Sequence, residues 1–322
     1  ALFAAKLITF VFALLFFFGG LSFFFARGQM YAKTPLMIRS LNDKYEKMEA
    51  VINSAMLSKR VFRKSLKQKR KEKAKERKKT KSDDPQKNVY VLDFKGDLRA
   101  SEVNSLRECI SAILMKAAPP DEVVVLLESV GGTVHGYGLA ASQLLRLRQQ
   151  GIRLTVAVDK VAVRGGYMMA SVADHIIAAP FAILGSIGVI GQLPNFHRLL
   201  QNLDIDFEQI TAGEYKRTLT LFGENTEKGR EKYREEIEDV HAMFKEFVAS
   251  YRSQLDIDRV STGEHWYGKR ALELNLVDEL RTSDDYLFTA SQSSKIWEIS
   301  YIYRKSWFEK FMPSLGRSTR EL

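Results

Sequence analysis

The sequence predicts an α/β fold: stacked βαβ units carrying a parallel sheet, preceded by one transmembrane helix and a basic helical linker. Three observations predict it. From residue 88 onward, short runs rich in β-branched residues alternate with segments of helical periodicity. Two Gly-Gly loops, at 131–132 and 165–166, each follow an apolar run and open a helical one. Residues 7–26 are twenty in a row without a charge, and a dense basic run follows at 59–81.

Twenty uncharged, mostly apolar residues are about what a helix needs to cross a bilayer. A cleaved signal peptide would have a shorter apolar region and a small-residue cleavage site, and 22–29 (SFFFARGQ) offers none. Lys6 precedes the span; Arg27, Lys33 and Arg39 follow it. The positive-inside rule therefore puts the C-terminal side in the cytoplasm, with a periplasmic domain as the alternative.

Residues 40–57 carry Leu41, Tyr45, Met48, Val51, Ile52 and Ala55 at helical spacing, an amphipathic helix suited to a membrane surface or a partner helix. The basic run holds fourteen Lys/Arg against Glu72 and Glu76, so 14 − 2 = +12. The whole chain carries +10, which leaves 10 − 12 = −2 for everything else. Basicity thus belongs to one segment and suits a juxtamembrane tether drawn to anionic lipid. Nucleic-acid binding is disfavoured, because only Phe62 interleaves the charges and phosphate attraction alone is unspecific. The single cysteine, Cys109, excludes an intrachain disulfide.

The globular part then reads in order. Strands are expected at 89–94, 123–127, 152–158 and 205–210, and a late one at 296–303. The second, VVVLL, is continuously apolar and so buried on both faces. Helices are expected at 100–116, 134–148, 226–254 and 268–274. The long one buries a stripe of Tyr233, Ile237, Val240, Phe244, Phe247 and Tyr251. Residues 307–322 form an amphipathic tail.

Five histidines show no paired ligand spacing, and there is no HExxH or cysteine pair, so no metal site is expected. Neither Gly-Gly loop is a full GxGxxG and the Walker pattern is absent, so a nucleotide site is disfavoured. Either loop alone reads as a turn. Together they supply backbone N–H groups that an oxyanion hole would use. The corner at 164–166 also suits a nucleophile, yet its residue is Arg164, which is not one.

Five stretches carry a resemblance: ESVGGTVHGYGLAASQ, the corner at 159–180, LGSIGVIGQLPN, TAGEYKRTLTLFGENT and TGEHWYGKRALELNLVDE. Together they resemble the signal peptide peptidase A family of membrane-anchored serine peptidases, in the branch where one anchor precedes a basic linker. The likeness covers about 88–285. It implies a ClpP/crotonase-like core, a Ser–Lys dyad, a peptide or unfolded-protein substrate, a homo-oligomer, residence in the cell inner membrane and no cofactor. Carried over by position, Lys216 is the general base. Gly131 or Gly132, together with Gly165, supplies the oxyanion donors. Ser186 lines the substrate site, and Arg164 stands where the family has serine. Val130 is a second departure, where the family's loop usually reads SPGG.

Guanidinium cannot form an acyl-enzyme, so impaired or lost hydrolysis is expected. Ser171 and Ser186 lack the corner position that a replacement nucleophile needs. The implied division is an anchor at 1–27, an amphipathic and basic linker at 28–87, a peptidase domain at 88–285, and a strand and tail at 286–322. The alternative function is a non-catalytic membrane scaffold that binds a partner through 40–81.

Overall fold

A computed structural model describes residues 35–65, 67–68, 71 and 87–302. The chain divides into two compact units. One is Ile38–Ser300; the other joins Ala1–Met37 to Tyr301–Leu322, and of it only 35–37 and 301–302 are described. No helix among the described residues is long and apolar enough to cross a membrane. The span read at 7–26, much of the basic run and the tail at 307–322 lie outside the described residues.

In chain order, β1 (Leu36–Ser40) leads into α1 (Leu41–Met56), which is capped by the Ser40 hydroxyl accepting from the Asp43 N–H. The first turns of α1 dock on the body. Leu41 is buried, and Asn42 Nδ2 donates to the carbonyls of Ser291 and Ser294 at 3.0 Å each. Beyond Tyr45 the apolar stripe of α1 is exposed at Met48, Val51, Ile52 and Met56.

The body continues through β2 (Asn88–Gly96), α2 (Val103–Leu114), β3 (Glu122–Ser129), α3 (Val134–Gln149), β4 (Arg153–Val158), β5 (Val161–Val163), α4 (Gly165–Ser171), β6 (His175–Ala178) and β7 (Ile183–Gly185). It ends with α5 (His197–Asn202), α6 (Glu227–Tyr251), α7 (Ile257–Val260), β8 (His265–Tyr267), α8 (Gly268–Glu273), β9 (Glu279–Leu280), α9 (Ser283–Ala290) and β10 (Lys295–Tyr301). The main sheet runs β10-β2-β3-β4-β6-β9, with β1 beyond β10. Every pairing from β10 to β9 along that path is parallel. A parallel sheet needs cover on both faces. Accordingly Val123, Val124, Val125 and Leu127 of β3 are all buried.

A short branch leaves the main sheet at the end of β3, where Ser129 pairs with Ala162 of β5. Strand β5 pairs parallel with β7, and β7 antiparallel with β8. The branch aims the end of β5 at the same point as the end of β3.

Two buried ionic knots hold the frame. At the start of β3, Glu122 accepts from Lys87 Nζ, Thr155 Oγ1 and Tyr286 Oη, each at 2.6 Å. Burial alone would raise its pKa. The three donors and the Lys87 charge outweigh that and hold it below the usual glutamate value. At the end of α6, Arg252 makes a two-pronged pair with Asp278, 2.9 Å on each prong, and donates to the Asn275 carbonyl. Asp278 also accepts from the Ile176 N–H of β6 at 2.7 Å, so one carboxylate ties α6 to the sheet.

The expected strand at 205–210 does not form. Residues 205–210 belong to no helix or strand, Ile205, Phe207 and Ile210 are exposed, and Ile210 is 96% so. Alternating apolar residues make a strand only where a sheet edge supplies hydrogen bonds and a covered face. Here Phe207 packs on Phe222 instead, at 5.7 Å between centroids. The stripe on α6 has the expected phase, but full burial is reached only at Phe244 and Val248.

Candidate active site

The corner between β5 and α4 is the strained point of the fold. Arg164 has φ 53° and ψ −122°, outside the wells that L-residues favour. Such a conformation costs on the order of 1–3 kcal/mol and persists only where the surroundings over-determine it. They do so here. The Arg164 N–H donates to the Gly185 carbonyl at 2.9 Å, and the Met168 N–H donates to the Arg164 carbonyl at 3.0 Å. A sharp, strained strand-to-helix turn that lifts one side chain clear of the sheet is the geometry nucleophiles use. Arg164 is accordingly exposed, while the residues of α4 behind it are buried.

The two Gly-Gly loops meet at this corner. A Cβ on Gly131 would sit 2.6 Å from Arg164 Cβ and 2.8 Å from the Val163 carbonyl oxygen, and the φ there is +81°. A Cβ on Gly166 would sit 2.8 Å from the Ser129 carbonyl oxygen, and one on Gly165 would enter the Tyr137 ring. These close approaches, which only glycine permits, let one loop rest on the other.

A buried relay sets the first loop. Tyr137 Oη donates to the Asp97 carbonyl at 2.8 Å, Ser129 Oγ lies 2.6 Å from Tyr137 Oη, and the Gly131 N–H donates to Ser129 Oγ at 3.0 Å. Gly131 is therefore already engaged. Gly132 has no hydrogen bond on its N–H among the described residues, and Gly165, first in α4, has no intrahelical acceptor for its own. Of the alternatives Gly131 and Gly132, the geometry leaves Gly132 as the one with a donor to offer.

Gly132, Arg164 and Gly165 line one cavity of about 80 Å³. Its other walls are Val134 and Met168, residues Gly188–Ile190, and Val240 with Phe244 from α6. No other charged side chain lines it, and no carboxylate of the described residues pairs with the Arg164 guanidinium.

The remaining predicted residues lie elsewhere. Lys216 is exposed, and its N–H donates to the Gly213 carbonyl at 3.2 Å. It lines a cavity of about 680 Å³ with Leu193, Phe207 and Phe222, whose lining does not include Arg164. Ser186 has φ 51°, and its hydroxyl donates to the Gly263 carbonyl at 3.1 Å. Three residues following it, 188–190, line the corner cavity, but Ser186 does not. Ser171 is buried and donates to the Met168 carbonyl. Val130 is exposed and outside the cavity lining. Among the described residues, no three His, Cys, Asp or Glu side chains group as a metal site.

Sequence reasoning missed Ser129 and Tyr137, and it read Val240 and Phe244 only as core. The spacing within ESVGGTVHGYG gives no sign that a hydroxyl eight residues on returns to the loop.

Residues 1–144 match the N-terminal region of peptidase family S49, and residues 146–296 match peptidase family S49 itself. The chain belongs to peptidase family S49. Within this family, the S49 chain is 57% identical over 236 residues to a probable protease SohB of Buchnera aphidicola subsp. Acyrthosiphon pisum, covering 73% of this chain and 70% of that one. It is 55% identical over 242 residues to a probable protease SohB of Haemophilus influenzae, covering 75% and 67%. The S49 chain is thus SohB-like. Among solved structures it is similar to a mutant of the 1510-N membrane-bound stomatin-specific protease in complex with a substrate peptide. That likeness has 12% identity and a TM-score of 0.46, covering 70% of this chain and 96% of that one.

Proposed function

We propose that this chain descends from SohB-type serine endopeptidases on a ClpP/crotonase-like core, keeps their peptide site, and has lost hydrolysis through its corner residue. One observation carries the reading: the strained corner is intact, with its glycines and the donors of Gly132 and Gly165, but the side chain it presents is Arg164. Losing the nucleophile alone costs a serine protease roughly 10⁶ in kcat. Neither Ser171 nor Ser186 stands where it could replace it, since Ser171 is buried and Ser186 does not line the corner cavity. Lys216 is the general base carried over from the family, and the family resemblance makes a homo-oligomer the working unit. The uncharged run of residues 7–26, long enough to cross a bilayer as a helix, supports residence in the inner membrane as a single-pass protein, with the basic run against anionic lipid and the body on the cytoplasmic side.

The test compares casein and peptide hydrolysis by the detergent-purified protein with that of Arg164→Ser. The expected result is silence from the parent and activity from the variant that Lys216→Ala abolishes. Activity in the parent that Lys216→Ala removes would overturn the reading.

A second reading, a membrane scaffold, rests on the exposed apolar stripe of α1 at Met48, Val51, Ile52 and Met56. Deleting 59–81 should cost a scaffold its partner or lipid surface and leave peptide binding unchanged.

A further inference from the structure

We infer that Arg164 makes the corner a receptor for the C-terminal carboxylate of a peptide whose last residue is apolar. This rests on the reading that the corner is a peptide site. Three observations converge. Arg164 is exposed, and its guanidinium pairs with no described carboxylate. Its planar fork suits a carboxylate held by two parallel bonds. The Gly132 N–H beside it has no acceptor among the described residues, so a second donor of fixed direction is on hand. Apart from Arg164, every side chain that lines this cavity is apolar, Met168, Ile190, Val240 and Phe244 among them.

Size and connectivity narrow the ligand. The cavity, about 80 Å³, is far below the roughly 300–1,000 Å³ of clefts that enclose whole ligands. It admits one side chain. A C-terminal residue carries its carboxylate and its side chain on the same Cα, so both reach one small cleft together. An internal Asp or Glu carries its carboxylate on the side chain and brings no apolar group from that Cα. Inorganic phosphate would satisfy the guanidinium and leave the apolar walls uncovered. The ligand is therefore the acid half of a cleaved chain, held where a peptidase would have released it.

The experiment uses the full-length protein in detergent and fluorescence anisotropy. The probes are a labelled octapeptide ending in leucine with a free carboxylate and the same peptide as its C-terminal amide. The acid is expected to bind at least tenfold tighter than the amide. Arg164→Gln should bring the acid to the level of the amide, with unchanged thermal unfolding because the side chain is exposed. Equal binding of acid and amide, binding of neither, or an acid preference that survives Arg164→Gln overturns the inference. So does displacement of the peptide by inorganic phosphate or by decanoate at concentrations where a leucine-ending competitor also displaces it. Hydrolysis regained by Arg164→Ser, with no acid preference in the parent, sinks this inference and leaves the proposed descent standing. An acid preference with Arg164→Ser inactive leaves this inference standing and overturns the reading that hydrolysis was lost through the corner residue alone.

Discussion

The hydroxyls of Ser129 and Tyr137 lie 2.6 Å apart with both residues buried, and the tyrosine hydroxyl also donates to the Asp97 carbonyl. The loop that carries Gly131 is thus tethered to the turn after β2 through one phenol. Tyr137→Phe removes that phenol and leaves the Asp97 carbonyl and the Ser129 hydroxyl short of a partner. It should destabilise the protein by about 1–3 kcal/mol in urea unfolding. Peptide binding should weaken with it, whereas Tyr→Phe at the exposed Tyr267 should change neither.

Glycines on either side of the first turn of α3 should respond with opposite signs. Gly131→Ala meets a φ of +81° and contacts of 2.6 and 2.8 Å with Arg164 Cβ and the Val163 carbonyl oxygen. A loss of at least ~2 kcal/mol is expected. Gly138 lies inside α3, and a Cβ there would meet nothing within 4 Å. Gly138→Ala should stabilise by about 0.5–1 kcal/mol. Denaturant midpoints of the two variants, with unchanged slopes, check the pair.

Arg252 is 2% exposed and holds Asp278 by two prongs. Arg252→Met strips a partly buried carboxylate of its main partner and should cost about 3 kcal/mol. If Asp278→Asn is added, the further loss should be much smaller than that of Asp278→Asn alone, because the pair acts as a unit.

The same carboxylates set the response to acid. Burial pushes Glu122 and Asp278 up, but their hydrogen-bonded cations and donors push them further down, and both end below their ordinary values of 4.5 and 3.8. A depressed carboxylate binds fewer protons folded than unfolded, so its contribution is complete above the ordinary value and is lost as pH falls through the folded one. The melting temperature should be flat above about pH 5 on this account and should fall steadily below pH 4.5. In Glu122→Gln the fall should be shallower.

Cys109 is a built-in reporter of opening. Burial, followed by the charges of Glu102 and Glu108, pushes its thiol up to about 11. The thiolate is the reactive form. Iodoacetamide at pH 8 should leave the folded protein unmodified and label it fully in concentrated urea, as intact mass would show. Rapid labelling of the folded protein would contradict the buried placement of α2.

Much of the frame was legible because its periodicities are local. The VVVLL run could only be a strand covered on both faces, and 226–254 could only be a long helix with one apolar stripe. The strand expected at 205–210 failed for the opposite reason: alternation is local, but a strand exists only if a distant edge is free to pair with it. The same limit hid the relay from Asp97 through Tyr137 to Ser129, which joins three segments by side-chain atoms alone.

By itself, the sequence determined the order of βαβ units, the two Gly-Gly loops and the arginine at the corner, since each is written in adjacent residues. Only the tertiary structure decided that the two loops touch, that Gly131 is spent on Ser129 while Gly132 is not, and that Lys216 lines a different cavity from Arg164. Those are distances between residues far apart in the chain. Packing sets them, through the crossover that brings the ends of β3 and β5 to one point.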